Sequence, residues 1–202
     1  MDELLTYKTI ESPTDGDFRD RGSKFLSFAF PIQNTKEVKD LLSSLKKEHP
    51  KAVHHCFAYR IGTDGLSFRA SDDGEPSGTA GKPILGQIDR CKLTNILVVV
   101  VRYFGGTLLG VPGLINAYKT SSALALDKAK QIEKQVEQSV QLSFDYPAMS
   151  EVLYNLRQAG ASILHQELQL FCEIEAGIPK STFAACIEKL EKIRNLTWKA
   201  RS

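Results

Sequence analysis

The sequence lacks a strong net charge, a long apolar run and an export signal. Its 26 basic and 24 acidic residues leave a net charge of +2 over 202 residues. That is far from the basic balance typical of a nucleic-acid binder, although a local basic patch is compatible with it. The longest apolar run, residues 96–101, is far too short to cross a bilayer. The first ten residues hold two acids and no apolar signal-peptide core, so we expect no membrane segment.

Clustered cysteines are missing as well. The four cysteines are Cys56, Cys91, Cys172 and Cys186, and no two of them form a CxxC pair. This spacing argues against a zinc site built from cysteine alone. Each thiol lies in an apolar stretch, which favours a reduced, half-buried side chain. We therefore expect a cytoplasmic protein that uses no metal and no cofactor.

The last third of the chain alternates strand and helix patterns. Residues 136–145 alternate apolar and polar side chains, as a half-buried strand does. Pro147 opens a helical pattern that Gly160 ends, and Pro179 opens a second one. Three further strand patterns cover residues 161–166, 168–176 and 196–201. The order βαββαβ predicts a ferredoxin-like domain. Its predicted core includes Phe144, Leu153, Leu170 and Ile187.

The sheet face that these helices leave open is predicted to be acidic. If Phe144 points towards the helices, Glu173 and Glu175 lie on the open face, with Phe171 as its one aromatic side chain. A sheet that stacks RNA bases needs aromatic side chains and positive charge on that face. The pattern therefore does not predict an RNA-recognition sheet.

The first two thirds are less regular. Strand patterns cover residues 25–32, 54–61, 67–70 and 95–102. One helix pattern begins after Asn34 or Thr35, the expected N-cap. Two further helix patterns cover residues 83–91 and 114–129. The β-branched run at 95–102 predicts a strand that is buried on both faces. The polar stretch 129–138, at the end of the last helix, is expected to join two domains, residues 1–133 and 134–202.

One stretch without apolar periodicity is the acidic loop, residues 71–83. It combines three acids, three glycines, hydroxyl groups and a lysine. Such a loop can bind an anion through backbone N–H groups or offer carboxylates to a hard cation. It can equally be a glycine-rich surface loop with an acidic tip. Its spacing does not match a P-loop.

A second stretch is the glycine turn, residues 102–110, which joins the buried strand to a helix. A helix N-terminus after glycines is suited to an anion, but the glycines can also serve only for a tight turn and close packing. Arg102 ends the buried strand, so its guanidinium needs an anionic partner. We expect it to pair with Asp72, Asp73 or Glu75, either as a structural ion pair or as part of a ligand site.

Two adjacent histidines, His54 and His55, lie in a predicted strand. Neighbouring strand residues face opposite sides, so the two cannot bind one metal ion without distortion. We expect one ring to be hydrogen-bonded in the core and the other to reach the acidic loop. No catalytic triad can be identified from such scattered residues.

The sequence resembles the IMPACT/YigZ family at residues 22–28, 49–62, 71–85 and 98–118, in the family's order. The resemblance implies a ribosomal-protein S5 domain-2-like α/β sandwich for the first domain. The C-terminal part is similar to the last domain of elongation factor G. Eukaryotic relatives act in translational control by binding a partner that activates a kinase, using an additional N-terminal domain that we do not expect here. Pro112 and Asn116 depart from the family's usual glycine and basic residue, which weakens a phosphate site at this turn.

The resemblance implies a non-enzymatic binding protein of translation or its regulation, contacting the ribosome, RNA or a translation partner. The alternative is an enzyme or a nucleotide- or phosphate-binding protein that uses a cleft between the acidic loop and the glycine turn. A third hypothesis is a purely protein-binding adaptor. The candidate binding residues are Lys24, His54, His55, Asp72, Asp73, Glu75, Ser77, Thr79, Lys82, Arg102, Tyr103, Gly105 and Gly106.

Overall fold

The structure, a computed structural model, describes residues 4–201. They form two compact units, residues 7–134 and residues 135–201 together with 4–6. The described chain is a mixed α/β protein with five α-helices and three sheets. Across these residues, no helix has both the length and the apolar character that crossing a bilayer takes. The division into separately folding domains at 133/134 stays a prediction.

The first unit is built around a five-stranded sheet. The elements in this part of the chain are β1 (Thr6–Ile10), β2 (Thr14–Asp20), β3 (Ser23–Pro31), α1 (Thr35–Glu48), β4 (His54–Ile61), β5 (Ser67–Ser71), α2 (Gly81–Arg90), β6 (Ile96–Tyr103), α3 (Gly110–Lys128) and β7 (Gln131–Gln135). The order of the sheet is β2-β3-β6-β4-β5 with antiparallel neighbours, and β1 pairs with β7 in a second, two-stranded sheet. Asn34 caps α1 by accepting from the backbone N–H groups of Lys36 and Glu37, as predicted.

The central strand β6 is buried on both faces, which confirms the prediction from its β-branched run. Val98 and Val100 pack into the core beneath α2 and α3. Val99 and Val101, on the other face, pack beneath α1. The alternation continues to the end of β6, so Arg102 lies on the α2–α3 face and Tyr103 on the α1 face.

The second unit has one sheet with two helices on one face. Its elements are β8 (Glu137–Asp145), a 3-10 turn (Tyr146–Ala148), α4 (Met149–Gln158), β9 (Ser162–Leu168), β10 (Phe171–Pro179), α5 (Lys180–Leu190) and β11 (Thr197–Ala200). The sheet order is β11-β8-β10-β9 and all neighbours are antiparallel. Leu142 and Ile174 from the sheet pack against Val152, Leu156 and Ile187 from the helices.

Three sequence predictions need correction. Helix α3 begins at Gly110, four residues before the predicted start, because Pro112 fits in a first helical turn. Residues 131–135 are the strand β7, paired with β1, instead of a helix end. Leu170 is 77% exposed, because it lies in the turn between β9 and β10 and the alternation does not continue through a turn.

Candidate functional site

The centre of the candidate site is a buried ion pair between β6 and the acidic loop. Arg102 Nη1 donates to Glu75 Oε1 at 2.6 Å, and Arg102 is only 5% exposed. The rings of Phe25 and Phe104 have their centroids 5.4 and 5.6 Å from the guanidinium carbon. The prediction that Arg102 pairs with an acid of the loop is confirmed, and the partner is Glu75.

Tyr118 on α3 is a third member of this network. Its hydroxyl donates to Glu75 Oε1 at 2.7 Å, and Cys56 Sγ lies 3.3 Å from the same hydroxyl. Burial raises the pKa of the Tyr118 phenol and of the Cys56 thiol well above their usual values. Both groups therefore stay protonated at neutral pH, and Cys56 is a poor candidate for a nucleophile.

The two adjacent histidines face opposite sides of the sheet, as predicted. His54 is paired with Arg102 in the strand register and lies on the same face. Its Nδ1 is 2.8 Å from the backbone carbonyl of Asp73; since a carbonyl only accepts, this nitrogen carries the hydrogen. Its Nε2 lies 3.9 Å from Glu75 Oε1.

His55 is buried on the α1 side. Its backbone N–H donates to Asp73 Oδ2 at 2.7 Å, while its ring Nε2 has no hydrogen-bond partner among the described residues. Burial lowers the pKa of His55, so the ring stays neutral at neutral pH. The two histidines therefore belong to different environments, and only His54 lies beside the ion pair.

The acidic loop does form an anion-binding turn, and its own Asp72 fills it. The carboxylate of Asp72 accepts the backbone N–H groups of Gly78, Ala80 and Gly81 at 2.8, 3.0 and 2.8 Å. Burial alone would raise the pKa of Asp72, but these three hydrogen bonds and the charge of Lys82 together lower it. These N–H groups are therefore not free to bind a phosphate.

Several predicted residues lie outside this site. Lys24 and Tyr103 are register partners on the α1 face, where Lys24 contacts Asp17 at 3.4 Å and the Tyr103 hydroxyl is 3.0 Å from His49 Nδ1. Ser77 and Lys82 are exposed on the acidic loop, and the buried hydroxyl of Thr79 donates to the carbonyl of Pro76. Among the described residues, no cluster of His, Cys, Asp and Glu is suited to a metal ion.

Gly105 and Gly106 in the glycine turn have structural roles. A Cβ at Gly105 would lie 1.9 Å from the carbonyl carbon of Gly22, so only glycine allows this close approach. The N–H of Gly105 is also used, since it donates to Ser23 Oγ at 3.1 Å. Gly106 has a φ of +85°, which favours glycine. Close packing therefore explains Gly105, whereas Gly106 is explained by the positive φ of the turn, because a Cβ there would meet no other atom.

A groove of about 370 Å³ opens above the ion pair, and we call it the Arg102 groove. Its polar residues are His54, Glu75 and Arg102. Its apolar residues include Val53, Phe104, Leu108, Val111 and Leu114. Leu108 is 82% exposed, and Val53, Phe104 and Val111 are each about half exposed. The groove is therefore an apolar surface depression, and the buried Arg102–Glu75 ion pair lies at its base.

Local sequence patterns did not indicate Tyr118 or the apolar wall of this groove. Tyr118 lies four residues after Leu114, so both occupy one face of α3. That spacing predicts a core face and does not reveal a hydrogen bond to Glu75. Leu108 and Val111 lie within the stretch 98–118 that carries the family resemblance, which was the available signal.

Comparison with known proteins supports the resemblance. The Impact N-terminal domain matches residues 21–126. An IMPACT family member of Haemophilus influenzae is 37% identical over 171 residues, which are 83% of this chain and 82% of that protein. The Escherichia coli family member YigZ is 34% identical over 170 residues, 83% of each chain. A crystal structure of a hypothetical protein, 29% identical, covers 99% of both chains with a TM-score of 0.78. The chain therefore belongs to the IMPACT family.

Proposed function

We propose that this chain is a non-enzymatic binding protein associated with translation or its regulation, which contacts the ribosome, RNA or a translation partner through the Arg102 groove. The translation part of the proposal is supported by the family, whose eukaryotic relatives act in translational control. The site part is supported by the position of the groove within residues 21–126, the matched family domain.

The observation that carries the proposal is the contrast between the rim and the base of the groove. At the base, the carboxylate of Glu75 is held by Arg102 and Tyr118, so its charge is already offset. At the rim, Leu108 and Val111 expose apolar surface that would gain from being covered. A site of this kind is suited to holding a partner, because its acidic group is engaged and its exposed surface is apolar.

Co-sedimentation with ribosomes from cell lysate, at increasing salt, tests this proposal. The wild-type chain should sediment with ribosomes or a translation complex, and Leu108→Asp should reduce the sedimenting fraction at least about tenfold. Leu66→Asp is the matched control, because Leu66 is 80% exposed and lies outside the groove. Absence of the wild-type chain from the ribosomal fractions at every salt concentration would reject the association with translation.

An enzyme or phosphate-binding protein is a second candidate, favoured by the geometry of His54. With its hydrogen on Nδ1, the neutral ring presents the unprotonated Nε2 beside Glu75, an arrangement suited to a general base. The phosphate version has less support, because Asp72 already occupies the N–H groups of the acidic loop. A turnover that His54→Gln abolishes while groove binding persists would favour the enzyme.

The finer fold assignments are proposals as well. The sheet order β11-β8-β10-β9 with two helices on one face supports a ferredoxin-like domain, similar to the last domain of elongation factor G. An S5 domain-2-like sandwich is proposed for residues 1–133, in which the five-stranded sheet has the order β2-β3-β6-β4-β5. Residues 134–202 expressed alone should give a dispersed NMR spectrum, and a random-coil spectrum would reject this boundary. The cytoplasmic location is likewise proposed, with the cysteine pattern as its support.

A further inference from the structure

The guanidinium at the base of the Arg102 groove has more donors than partners. Among the described residues its single hydrogen bond is the one from Nη1 to Glu75, and Nε has no partner. A buried donor without an acceptor costs free energy, so a bound acceptor would relieve this cost. The ring of Phe104 lies against the guanidinium but is about half exposed. A ligand that moves this ring aside gains access to the free donors.

A hydrogen-bond acceptor lies next to these donors. His54 and Arg102 are directly opposite each other on β4 and β6, on the same face of the sheet. Because Nδ1 of His54 donates to the Asp73 carbonyl, the neutral ring offers Nε2 as an acceptor. The groove therefore presents a donor and an acceptor side by side, and a residue of an extended segment carries the complementary pair, because its own N–H and C=O point to the same side.

The base of the groove has no net charge when His54 is neutral. The positive charge of Arg102 is offset by Glu75 at 2.6 Å. A phosphate placed there would lie close to the Glu75 carboxylate and be repelled by it. A neutral carbonyl can accept from Arg102 without that repulsion. The charge distribution thus favours an uncharged polar group over an anionic one.

The apolar surface extends beyond the groove itself. The groove volume of about 370 Å³ lies at the lower end of ordinary small-ligand sites. Leu108 and Val111 expose much of their side chains around it. An occupant that covers both the base and this rim has to continue outside the groove, as a polypeptide segment does.

We infer that the Arg102 groove binds an uncharged, apolar polypeptide segment of a partner protein. The C=O and N–H of one residue of the segment lie over Arg102 and His54, and the apolar side chains of the segment pack on Phe104, Leu108 and Val111. The inference rests on the proposed function, in which the groove contacts either RNA or a protein. It specifies that a protein segment binds in the groove.

The test is an NMR titration of the full chain, labelled with nitrogen-15, with the blocked peptide N-acetyl-Leu-Phe-Leu-amide. We expect shift changes confined to the amides of residues 53–54, 75, 102–111 and 113–114, since Pro76 and Pro112 have no N–H. The affinity should change less than about twofold between 50 and 200 mM salt, because no phosphate contact is involved. Inorganic phosphate and adenosine monophosphate, titrated in parallel, should leave these amides unchanged.

Variants test whether the peptide binds in the groove. Leu108→Asp should weaken peptide binding at least about tenfold, whereas Leu66→Asp, equally exposed outside the groove, should bind as the wild type does. His54→Leu should weaken it several-fold by removing the acceptor. Equal binding of N-acetyl-leucine-amide and the tripeptide would overturn the polypeptide assignment in favour of a small ligand. Shifts at these amides with phosphate but not with the peptide would overturn it in favour of an anion.

The outcome can be separated from that of the proposed function. If the peptide binds but the chain does not sediment with ribosomes, the inference about the groove stands and the association with translation fails. If sedimentation depends on Leu108 but the peptide does not bind, the association stands and the assignment of the groove to a polypeptide fails.

Discussion

The two units of this chain differ in what they bury. In the first unit the core includes charged and polar side chains, among them Glu75, Arg102 and His55. In the second unit, within residues 135–201, every fully buried side chain is apolar. Burying polar groups costs free energy unless they are paired, so packing alone does not account for a core that contains them. A functional site is therefore expected in the first unit.

Trp198, the one tryptophan of the chain, allows the two units to be followed separately. It lies on β11 of the second unit, where its ring packs edge-on to Phe183 at 6.0 Å and its Nε1 donates to Glu191. Tryptophan fluorescence therefore reports on the second unit, while circular dichroism reports on both. A change in the urea transition can therefore be assigned to one unit by comparing the two signals.

The largest expected effect is that of Arg102→Ala. The substitution leaves Glu75 buried without its cation, which should cost about 3–5 kcal/mol of unfolding free energy. In urea titration, the circular-dichroism transition of the first unit should move to lower urea while the Trp198 transition stays in place. Arg69→Ala, on the exposed edge strand β5, is the control and should cost less than about 1 kcal/mol. A loss below about 1 kcal/mol for Arg102→Ala would show that the ion pair is not needed for the fold.

The matching change in the apolar core is Leu156→Ala. Leu156 is fully buried on α4, so its truncation should cost about 2–5 kcal/mol. In urea titration of this variant, the transition followed by Trp198 fluorescence should move to lower urea. Leu153 is partly buried, and Leu153→Ala should cost less than Leu156→Ala. If the order of the two variants were reversed, the register of α4 would be wrong.

Local patterns predicted most of the helices and strands. The β-branched run of β6, the cap at Asn34 and the alternation of β8 are each specified by neighbouring residues. The pairing of Arg102 with the acidic loop could be predicted too, because a buried guanidinium needs a carboxylate and the loop is the dense acidic segment nearby in sequence. What these successes share is a signal contained in a short stretch of chain.

Contacts between distant segments account for what the sequence analysis did not predict. β1 and β7 pair across more than a hundred residues, and neither has a strong alternation of its own. The hydrogen bond from Tyr118 to Glu75 likewise joins two elements that local patterns treat separately. The role of Asp72 in filling its own loop depends on the backbone path between residues 72 and 81. Such features follow from the folded geometry alone.

A smaller, pH-dependent effect is expected at Asp72. Its pKa in the folded chain lies below the ordinary value of 3.8, since three backbone N–H groups and Lys82 offset the effect of burial. The unfolded chain therefore binds more protons, and the contribution of Asp72 is present above pH 3.8 and lost as the pH falls through the folded pKa. Asp72→Asn should lower the unfolding free energy at pH 7 by about 1–2 kcal/mol.

The Asp72→Asn variant should also change the acid limb of the stability curve. Its unfolding free energy, measured by circular dichroism from pH 7 to pH 2.5, should fall less steeply below about pH 4 than that of the wild type. Asp64→Asn is a suitable control, because Asp64 accepts a single backbone N–H in an exposed connection. An acid limb identical in slope to that of the wild type would mean that Asp72 is not held by its loop.

The smallest effect is expected on the open sheet face of the second unit. Glu173 is exposed there, and it accepts a hydrogen bond from Gln141 at 3.1 Å. Glu175 is paired with Arg201. Phe171 is exposed at the end of the same strand, and Lys199 and Arg201 share the face with these acids, so the face lacks the row of aromatic side chains on which RNA bases stack. The placement of these side chains agrees with the alternation predicted from the sequence.

Reversing the charge of Glu173 and Glu175 to lysine should therefore leave any affinity of the full chain for single-stranded RNA unchanged or raise it. Added positive charge can only strengthen contacts to phosphate, and these strengthened contacts should weaken steeply with salt. The affinity is measured by fluorescence anisotropy with a labelled oligonucleotide at 50 and 200 mM salt. Glu151→Lys on the outer side of α4 adds positive charge away from the open face and serves as the control. A several-fold fall in affinity for the double variant alone would show that the acidic face itself contacts RNA, and the contrast between the two units would then no longer hold.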